Sequence, residues 1–231
     1  MAIRRSRRPR SVRLEAGTAT HTGRIRTSNQ DAVGMVDDLF VVADGMGGHR
    51  GGEVAAAEAV GVLMVGLERS DRAGLVAAVR AANRSILERA AVEPDLSGMG
   101  TTLCALAVVD SLTGDDALAV ANIGDSRVYR FAAGCLDQVS DDHSLVADLV
   151  RAGEITAEEA ARHPQRNILT RALGIEADPL IDSWDLVPVT VDRYQVPAVD
   201  QRISLDAQGP GQDIALRMVG CFLGGDLPGP H

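Results

Sequence analysis

The stretch that decides the fold is residues 39–52, which read Leu-Phe-Val-Val-Ala-Asp-Gly-Met-Gly-Gly-His-Arg-Gly-Gly. Residues 39–43 form a short apolar run rich in β-branched side chains, and this pattern predicts a buried strand. The strand ends at Asp44, where a carboxylate on a rigid element is suited to binding a cation. Gly45 allows the backbone to approach a cation closely, so its carbonyl can bind as well. The alternative that Asp44 only caps the following helix stays open.

The sequence around this stretch predicts an α+β fold. The glycine-rich loop leads into an alanine-rich helix predicted over residues 53–67, and a second helix is predicted over residues 71–91 with Asp71 as its candidate N-cap. Further along the chain, Thr156 and Glu159 are predicted to form a capping box. Residues 101–109 and 117–123 are apolar and are joined by a turn-forming Thr-Gly-Asp-Asp, which predicts a β-hairpin. Because strands and helices come in runs, we expect antiparallel sheets with packed helices. The loop is not a P-loop, since the chain contains no lysine.

Two further stretches contain candidate site residues. Arg26 and Asp31 bound the sequence Arg-Thr-Ser-Asn-Gln-Asp. An arginine fork matches a phosphoryl group, and Asp31 can hold a water bound to a metal. The alternative is a surface loop with an Asx turn at Asn29. Asp125 follows a predicted strand in Asn-Ile-Gly-Asp-Ser-Arg, and its alternative is an ordinary hairpin aspartate.

Composition excludes several classes of protein. The chain has 231 residues, 45% apolar and only 3% aromatic, with a net charge of −9. This content is globular, and the scarcity of aromatic side chains argues against a stacking platform for nucleic acid. Three cysteines without a paired spacing argue against zinc sites and disulfides, and no long apolar run predicts a membrane span. We therefore expect a cytoplasmic protein whose acidic body suits divalent cations.

The five stretches that contain these residues, in this order, resemble one family. They are RTSNQDAVG, LFVVADGMGGHRGGEVAA, GMGTTLCAL, NIGDSRVYRF, and the run from QVSDDHSLVADLVRAGEITAEEA to HPQRNILTRALG. These stretches identify the chain as similar to the bacterial members of the metal-dependent protein serine/threonine phosphatases, which are also called the PPM or type 2C family. The resemblance covers residues 12–194. Residues 1–11 are predicted to be a basic disordered tail.

The resemblance implies a four-layer α/β/β/α sandwich of two antiparallel sheets flanked by helices, whose C-terminal elements are expected to be incomplete. It also implies a dinuclear Mn²⁺ or Mg²⁺ site that activates a water to hydrolyse phosphoserine and phosphothreonine in proteins. Asp44 would bind both cations, the Gly45 carbonyl one of them, and Asp125 a third, labile cation. Arg26 would bind the substrate phosphate, and Asp31 a metal-bound water.

The resemblance extends to partners and to a mobile segment. Phosphoproteins are the implied substrates, and a bacterial serine/threonine kinase with its targets is the implied partner. Residues 141–169 would form a mobile flap beside the cleft. Met46 stands where some relatives have a histidine proposed as general acid, so no general acid is assigned, and the nearby His49 is expected to be a loop residue without a chemical role.

The family pattern breaks after about residue 194. Two further metal-binding aspartates of the family have no clear equivalent, and Asp200 and Asp226 are the weak substitutes that the sequence offers. Pro197 falls inside what would be a buried strand, where it would remove a ladder hydrogen bond. Residues 195–231 are therefore predicted to be a divergent segment, which a frameshift would produce. Two alternatives to an active enzyme stay open, namely a catalytically impaired phosphoprotein-binding module and a truncated product.

Overall fold

The computed structural model of the protein describes residues 14–22, 28–47, 50–132, 135–186 and 220–223. Its strands are β1 (Leu14–Gly17), β2 (Asp31–Val36), β3 (Leu39–Met46), β4 (Gly100–Thr101), β5 (Leu103–Asp110), β6 (Asp116–Ile123), β7 (Tyr129–Ala132), β8 (Cys135–Gln138), β9 (Asp182–Leu186) and β10 (Gly220–Leu223). Its α-helices are α1 (Gly51–Leu63), α2 (Arg72–Val92), α3 (Leu145–Arg151) and α4 (Ala157–Arg162). A short 3-10 helix spans Pro94–Leu96.

A six-stranded antiparallel sheet is the centre of the fold. Its strands lie in the order β2-β3-β5-β6-β9, and β4 pairs with the end of β3. Two short antiparallel pairs complete the described strands, one of β7 with β8 and one of β1 with β10. Such antiparallel sheets with helices gathered on one face define an α+β fold, so the predicted fold class is confirmed.

The helices α1 and α2 cover one face of the sheet. Asp71 caps α2 as predicted, because its side chain accepts a hydrogen bond of 2.7 Å from the Gly74 amide. The core beneath the helices is rich in alanine, and its small side chains are contributed by both layers, namely by Ala43, Ala105, Ala107, Ala119 and Ala121 of the sheet and by Ala55, Ala56, Ala59 and Ala82 of the helices. Small side chains allow close approach, so a chain with few aromatic residues still packs a dense core.

The opposite face of the sheet has a second, smaller core. Phe40, Cys104, Leu106 and Val120 form it together with Val128, which precedes β7. Partly buried side chains pack against it from the other layer, including Ala16 of β1 and Val139 just after β8. The short strand pairs therefore lie over this second face.

The segment that the resemblance identified as a flap contains α3 and α4. Neither helix has a buried residue. The predicted capping box is present, with the Thr156 hydroxyl accepting from the Glu159 amide and the Glu159 carboxylate accepting from the Thr156 amide. An isolated bridge pairs Ser144 with Leu169 and closes the base of the segment. The segment is thus a projecting loop with two short helices.

Most predicted elements are confirmed, but strands β2, β8 and β10 were not predicted. The strand over residues 39–43 is present and extends to Met46, and the hairpin of β5 and β6 forms around the predicted turn. The first helix ends at Leu63, earlier than predicted, and Gly66 beyond it has a φ of +95°. Strand β2 was missed, because the sequence around it is polar and contains a glycine. Within the described part of the chain, no helix combines the length and apolarity that a membrane span needs.

Candidate active site

One end of the second sheet face changes from apolar to polar side chains. Along β3, Phe40 belongs to the apolar core on this face, and the alternation of side chains places Asp44 on the same face at the strand end. Asp31 of β2 lies directly opposite Asp44 in the register. Directly opposed residues of antiparallel strands have their Cβ atoms about 4.5–5.5 Å apart, so the two carboxylates are neighbours.

The backbone of Asp44 is held tightly by two threonines. The Asp44 amide donates to Oγ1 of Thr102 at 3.0 Å. The Asp44 carbonyl accepts from the Thr102 amide at 2.9 Å and from Oγ1 of Thr101 at 2.9 Å. Both threonines are buried. These bonds fix the strand end, so the Asp44 side chain projects from a rigid position.

Gly45 occupies a position where the fold has no room for a side chain. A Cβ atom built on it would collide with the carbonyl oxygen of Gly52 and lie 2.8 Å from that of Gln30. The Gly45 amide also donates to the Gln30 carbonyl at 3.1 Å. The close approach of this strand to the first turn of α1 therefore requires glycine, whatever the carbonyl of Gly45 binds.

The turn after β6 brings Asp125 to the same end of the sheet. Gly124 has a φ of +99°, and a Cβ on it would lie 2.6 Å from Cβ of Thr102. The hydroxyls of Ser126 and Thr102 share a hydrogen bond of 2.6 Å. Since Thr102 also bonds Asp44, the turn that contains Asp125 is connected to the Asp44 strand end through one buried side chain.

Asp31 is positioned by the Asx turn that was weighed as an alternative for this region. The Asp31 amide donates to Oδ1 of Asn29 at 3.1 Å, and Nδ2 of Asn29 donates to Oγ1 of Thr20 at 2.7 Å. The turn is therefore present, but it does not compete with a functional role. It fixes the start of β2 at the place where Asp31 faces Asp44.

The structure also shows a buried cluster that the sequence analysis missed. His143 accepts a hydrogen bond from the Gly124 amide at 3.1 Å, and its other ring nitrogen lies 2.9 Å from Oδ2 of Asp182. Arg171 donates to Oδ1 of Asp182 at 3.0 Å. The available signal was a histidine just before the Ser144 N-cap, but nothing local joins it to residues 171 and 182.

The remaining predicted site residues are not described. Arg26, His49, Asp200 and Asp226 lie outside the described residues. Among the residues that are described, no group of three or more histidine, cysteine or acidic side chains is arranged to hold a metal ion. The described part of the site is therefore the facing pair Asp31 and Asp44, with Asp125 on the adjoining turn.

Comparison with known proteins shows which family the chain belongs to. The family model described as Protein phosphatase 2C matches residues 20–176, which include both carboxylates of the facing pair and the turn. The serine/threonine phosphatase stp of Listeria welshimeri is 38% identical over 192 residues, 78% of this chain and 74% of that protein. The chain belongs to the protein phosphatase 2C family. It is thus a member of a family of serine/threonine phosphatases.

Solved structures support the same assignment. The PPM Ser-Thr phosphatase MsPP of Mycobacterium smegmatis, solved in complex with cacodylate, is similar with a TM-score of 0.67 and 43% identity. The match covers 75% of this chain and 72% of that one. The catalytic domain of the phosphatase PstP, solved in complex with two manganese ions, matches with a TM-score of 0.63 and 37% identity over 74% of this chain and 72% of that one.

Proposed function

We propose that the chain hydrolyses phosphoserine and phosphothreonine in proteins, using a pair of Mn²⁺ or Mg²⁺ ions bound at the polar end of the sheet. The observation that supports this most is the register that sets Asp31 directly opposite Asp44. Like charges facing each other across two strands destabilise a sheet. A cation between or beside them would offset that repulsion.

The donor chemistry of the described residues fits such ions. Carboxylate and backbone carbonyl oxygens are hard ligands, which Mg²⁺ and Mn²⁺ prefer over zinc or copper. The facing pair and the Gly45 carbonyl are oxygen donors at one strand end. Two carboxylates and a carbonyl supply part of a dinuclear site. We propose that Asp200 or Asp226, outside the described residues, adds to them.

Each residue has a proposed role. Asp44 would bind both ions, the Gly45 carbonyl one of them, and Asp125 a third, labile ion. Ions held in this way lower the pKa of a bound water and neutralise phosphoryl oxygens during in-line attack. The protein positions the Asp44 carboxylate in advance, because the hydrogen bonds with Thr101 and Thr102 fix the Asp44 backbone before any ligand binds.

Two side chains act on the reactants rather than on the ions. The Asp31 carboxylate would accept a hydrogen bond from the attacking water and hold it in line with the phosphorus atom. Arg26 would bind two phosphoryl oxygens with its guanidinium fork, which stabilises the negative charge of the phosphoryl group. Neither role uses a covalent phosphoenzyme, so no catalytic cysteine is required.

The proposal extends to the chain as a whole. We propose residues 12–194 as the phosphatase domain, residues 1–11 as a basic tail, and residues 195–231 as a divergent segment. The physiological substrates would be phosphoproteins, including a bacterial serine/threonine kinase and its targets, in the cytoplasm. The family model matches residues 20–176, which lie inside the proposed domain.

An assay of Mn²⁺-dependent phosphate release from a phosphothreonine peptide tests the proposal. The wild-type chain should release phosphate only with the metal, and Asp44→Asn should lower kcat/KM by at least about 10³-fold because it removes a charged ligand. Asp95→Asn, an exposed carboxylate in the 3-10 helix, is the matched control and should keep wild-type activity. Activity that survives Asp44→Asn would refute the metal assignment, and peptide binding without turnover would favour the impaired alternative.

A further inference from the structure

The imidazole of His143 makes a specific contact with the turn that contains Asp125. Its Nδ1 accepts from the Gly124 amide at 3.1 Å, and the His143 amide donates to the Gly124 carbonyl at 3.0 Å. The side chain is 3% exposed. A buried residue that bonds both backbone groups of Gly124, one through its ring and one through its own amide, constrains where that glycine lies.

The tautomer of His143 follows from its neighbours. Because Nδ1 accepts from an amide, the neutral ring carries its proton on Nε2. That proton points at Oδ2 of Asp182, 2.9 Å away. Arg171 donates to Oδ1 of the same carboxylate at 3.0 Å, and its Nη1 also lies 3.3 Å from Nε2 of His143. A protonated Nε2 cannot accept from Arg171, so in this tautomer its hydrogen-bond partner is Asp182. Asp182 therefore selects the tautomer that can receive the Gly124 amide.

The turn is held from both sides by buried groups. On one side, the Ser126 hydroxyl bonds Thr102, which in turn bonds the Asp44 amide. On the other side, His143 holds Gly124. Asp125 lies between these two anchors, so its backbone has little freedom to rotate. Without the bond to the imidazole, the Gly124 side would keep only the bond from its carbonyl to the His143 amide.

His143 also belongs to the base of the projecting segment. Its carbonyl accepts from the Thr170 amide at 2.9 Å. The next residue, Arg171, reaches back to Asp182. The two ends of the segment thus meet at His143, and the same side chain contacts the Asp125 turn.

We propose that His143 is a positioning residue, which holds Asp125 in place by accepting the Gly124 amide in the tautomer that Asp182 selects. What Asp125 then binds rests on the proposed function. The positioning itself depends only on the contacts of Gly124, His143 and Asp182. The proposal predicts that loss of the hydrogen bond at Nδ1 directly loosens the turn that contains Asp125. Loss of the hydrogen bond at Nε2 should loosen the same turn indirectly, by changing the tautomer.

Two substitutions separate the two ring nitrogens. The side-chain oxygen of asparagine takes about the position of Nδ1 and can still accept from Gly124, whereas glutamine reaches the position of Nε2 and can still bond Asp182. In the metal-free full chain, we expect His143→Gln to speed hydrogen exchange of the Gly124 amide by at least about tenfold, and His143→Asn by less than about threefold. NMR measures this amide directly.

A matched control is available on the projecting segment. His163 also accepts a backbone amide on Nδ1, from Gln165 at 3.2 Å, but it lies away from the turn. His163→Gln should leave Gly124 exchange unchanged. Equal acceleration in both His143 variants, or none in His143→Gln, overturns the proposal, because a side chain that only fills space does not distinguish the nitrogens.

A second variant covers the case in which His143→Gln does not fold. Asp182→Leu removes both carboxylate oxygens and leaves Nε2 beside the Arg171 guanidinium, which is a donor, so the imidazole is free to carry its proton on Nδ1 and lose the Gly124 bond. We expect Gly124 exchange to rise by at least about threefold in this variant. Unchanged exchange there would overturn the role of Asp182 and with it the proposal.

A metal titration links the inference to the proposed function. In His143→Gln, the Mn²⁺ dissociation constant from calorimetry and the Mn²⁺ concentration that gives half-maximal phosphopeptide hydrolysis should both rise. In His143→Asn, both should stay near the wild-type values. We expect a shift of at least about fivefold, because the loss of an orienting bond typically costs 10–100-fold in affinity. If the wild type releases no phosphate, the proposed function fails, while the exchange data still decide the positioning.

Discussion

The two faces of the central sheet are built from different side chains. The face under α1 and α2 is apolar along β3, β5 and β6 and rich in alanine. The other face begins with large apolar residues such as Phe40 and Leu106, and ends with Asp31, Asp44 and the Thr102 hydroxyl. One face therefore contains the main core of the fold, and the polar end of the other contains the residues proposed for its chemistry.

This division has a physical basis. Facing carboxylates and buried hydroxyls gain little for folding, and each must find a partner when it leaves water. They are tolerated because the helix-covered face buries enough apolar surface to offset their cost. The comparison predicts that substitutions on the two faces change different measurable properties.

The largest loss of stability is expected on the helix-covered face. Leu63 of α1 is fully buried in that core, and Leu63→Ala should lower the free energy of unfolding by about 3 kcal/mol through lost transfer energy and a cavity. Urea denaturation measures the change. Leu112, a fully exposed leucine in the hairpin turn, is the control and should change by less than about 0.5 kcal/mol on replacement by alanine. Comparable losses at both sites would contradict the assignment of the core.

Gly45 lies where the two faces meet, and its replacement should affect both properties. Gly45→Ala places a methyl group against the Gly52 carbonyl, which should cost about 2 kcal/mol of stability and displace the end of β3. Gly61 in the last turn of α1 has open space around it, so Gly61→Ala should instead stabilise the protein by about 0.5–1 kcal/mol. Thermal unfolding of the pair checks both signs, and a tolerated Gly45→Ala would show that the contact with Gly52 is not tight.

The polar end should show the opposite relation between stability and activity. Asp31→Asn removes one of two carboxylates that face each other, and in the absence of metal it should leave stability within about 0.5 kcal/mol of the wild type. The same change should lower phosphatase activity. Urea denaturation with and without Mn²⁺, next to the peptide assay, tests the two expectations together. A clear loss of stability without metal would mean that Asp31 has a structural role.

The smallest expected effect on stability comes from a contact between α1 and α2, and it depends on pH. The Ser85 hydroxyl donates to Glu58 and holds the pKa of that carboxyl below its ordinary value, with Arg89 adding to the effect and burial opposing it. A lowered folded-state pKa gives stability that is present above the unfolded pKa of about 4.5 and is lost as the pH falls through the folded value. Relative to Glu58→Gln, the wild type should be more stable by about 0.5 kcal/mol at pH 7.

That advantage should disappear in acid, and denaturation at pH 7 and pH 3 measures it. Glu88, an exposed residue of α2, provides the matched control. Glu88→Gln should show no comparable change with pH. An advantage of the wild type over Glu58→Gln that persists at pH 3 would indicate that packing, rather than ionisation, links α1 to α2.

Several elements of the fold were predicted from local sequence patterns. The apolar run of β3, the Asp71 cap and the Thr156 capping box act over a few residues, so the sequence around them was sufficient. Strand β2 was missed, because its strand character comes from pairing with β3 rather than from its own composition. The ordered motifs also indicated the family, which the comparisons confirm.

The candidate site was predictable as a set of residues, but its arrangement was not. Nothing in the sequence states that Asp31 lies opposite Asp44, because register depends on the pairing of whole strands. The contacts of His143 join residues at positions 124, 143 and 182, which lie far apart along the chain. Such contacts form only when separate strands and loops are packed together.

The sequence by itself determined the two long helices, the caps at Asp71 and Thr156, the hairpin of β5 and β6, and which carboxylates are available at strand ends. Each of these follows from interactions between residues close along the chain. The tertiary structure alone decided which sheet face the carboxylates share, why Gly45 must be glycine, and which nitrogen of His143 accepts the hydrogen bond from Gly124. These properties depend on distances between remote segments, and only the packed chain sets those distances.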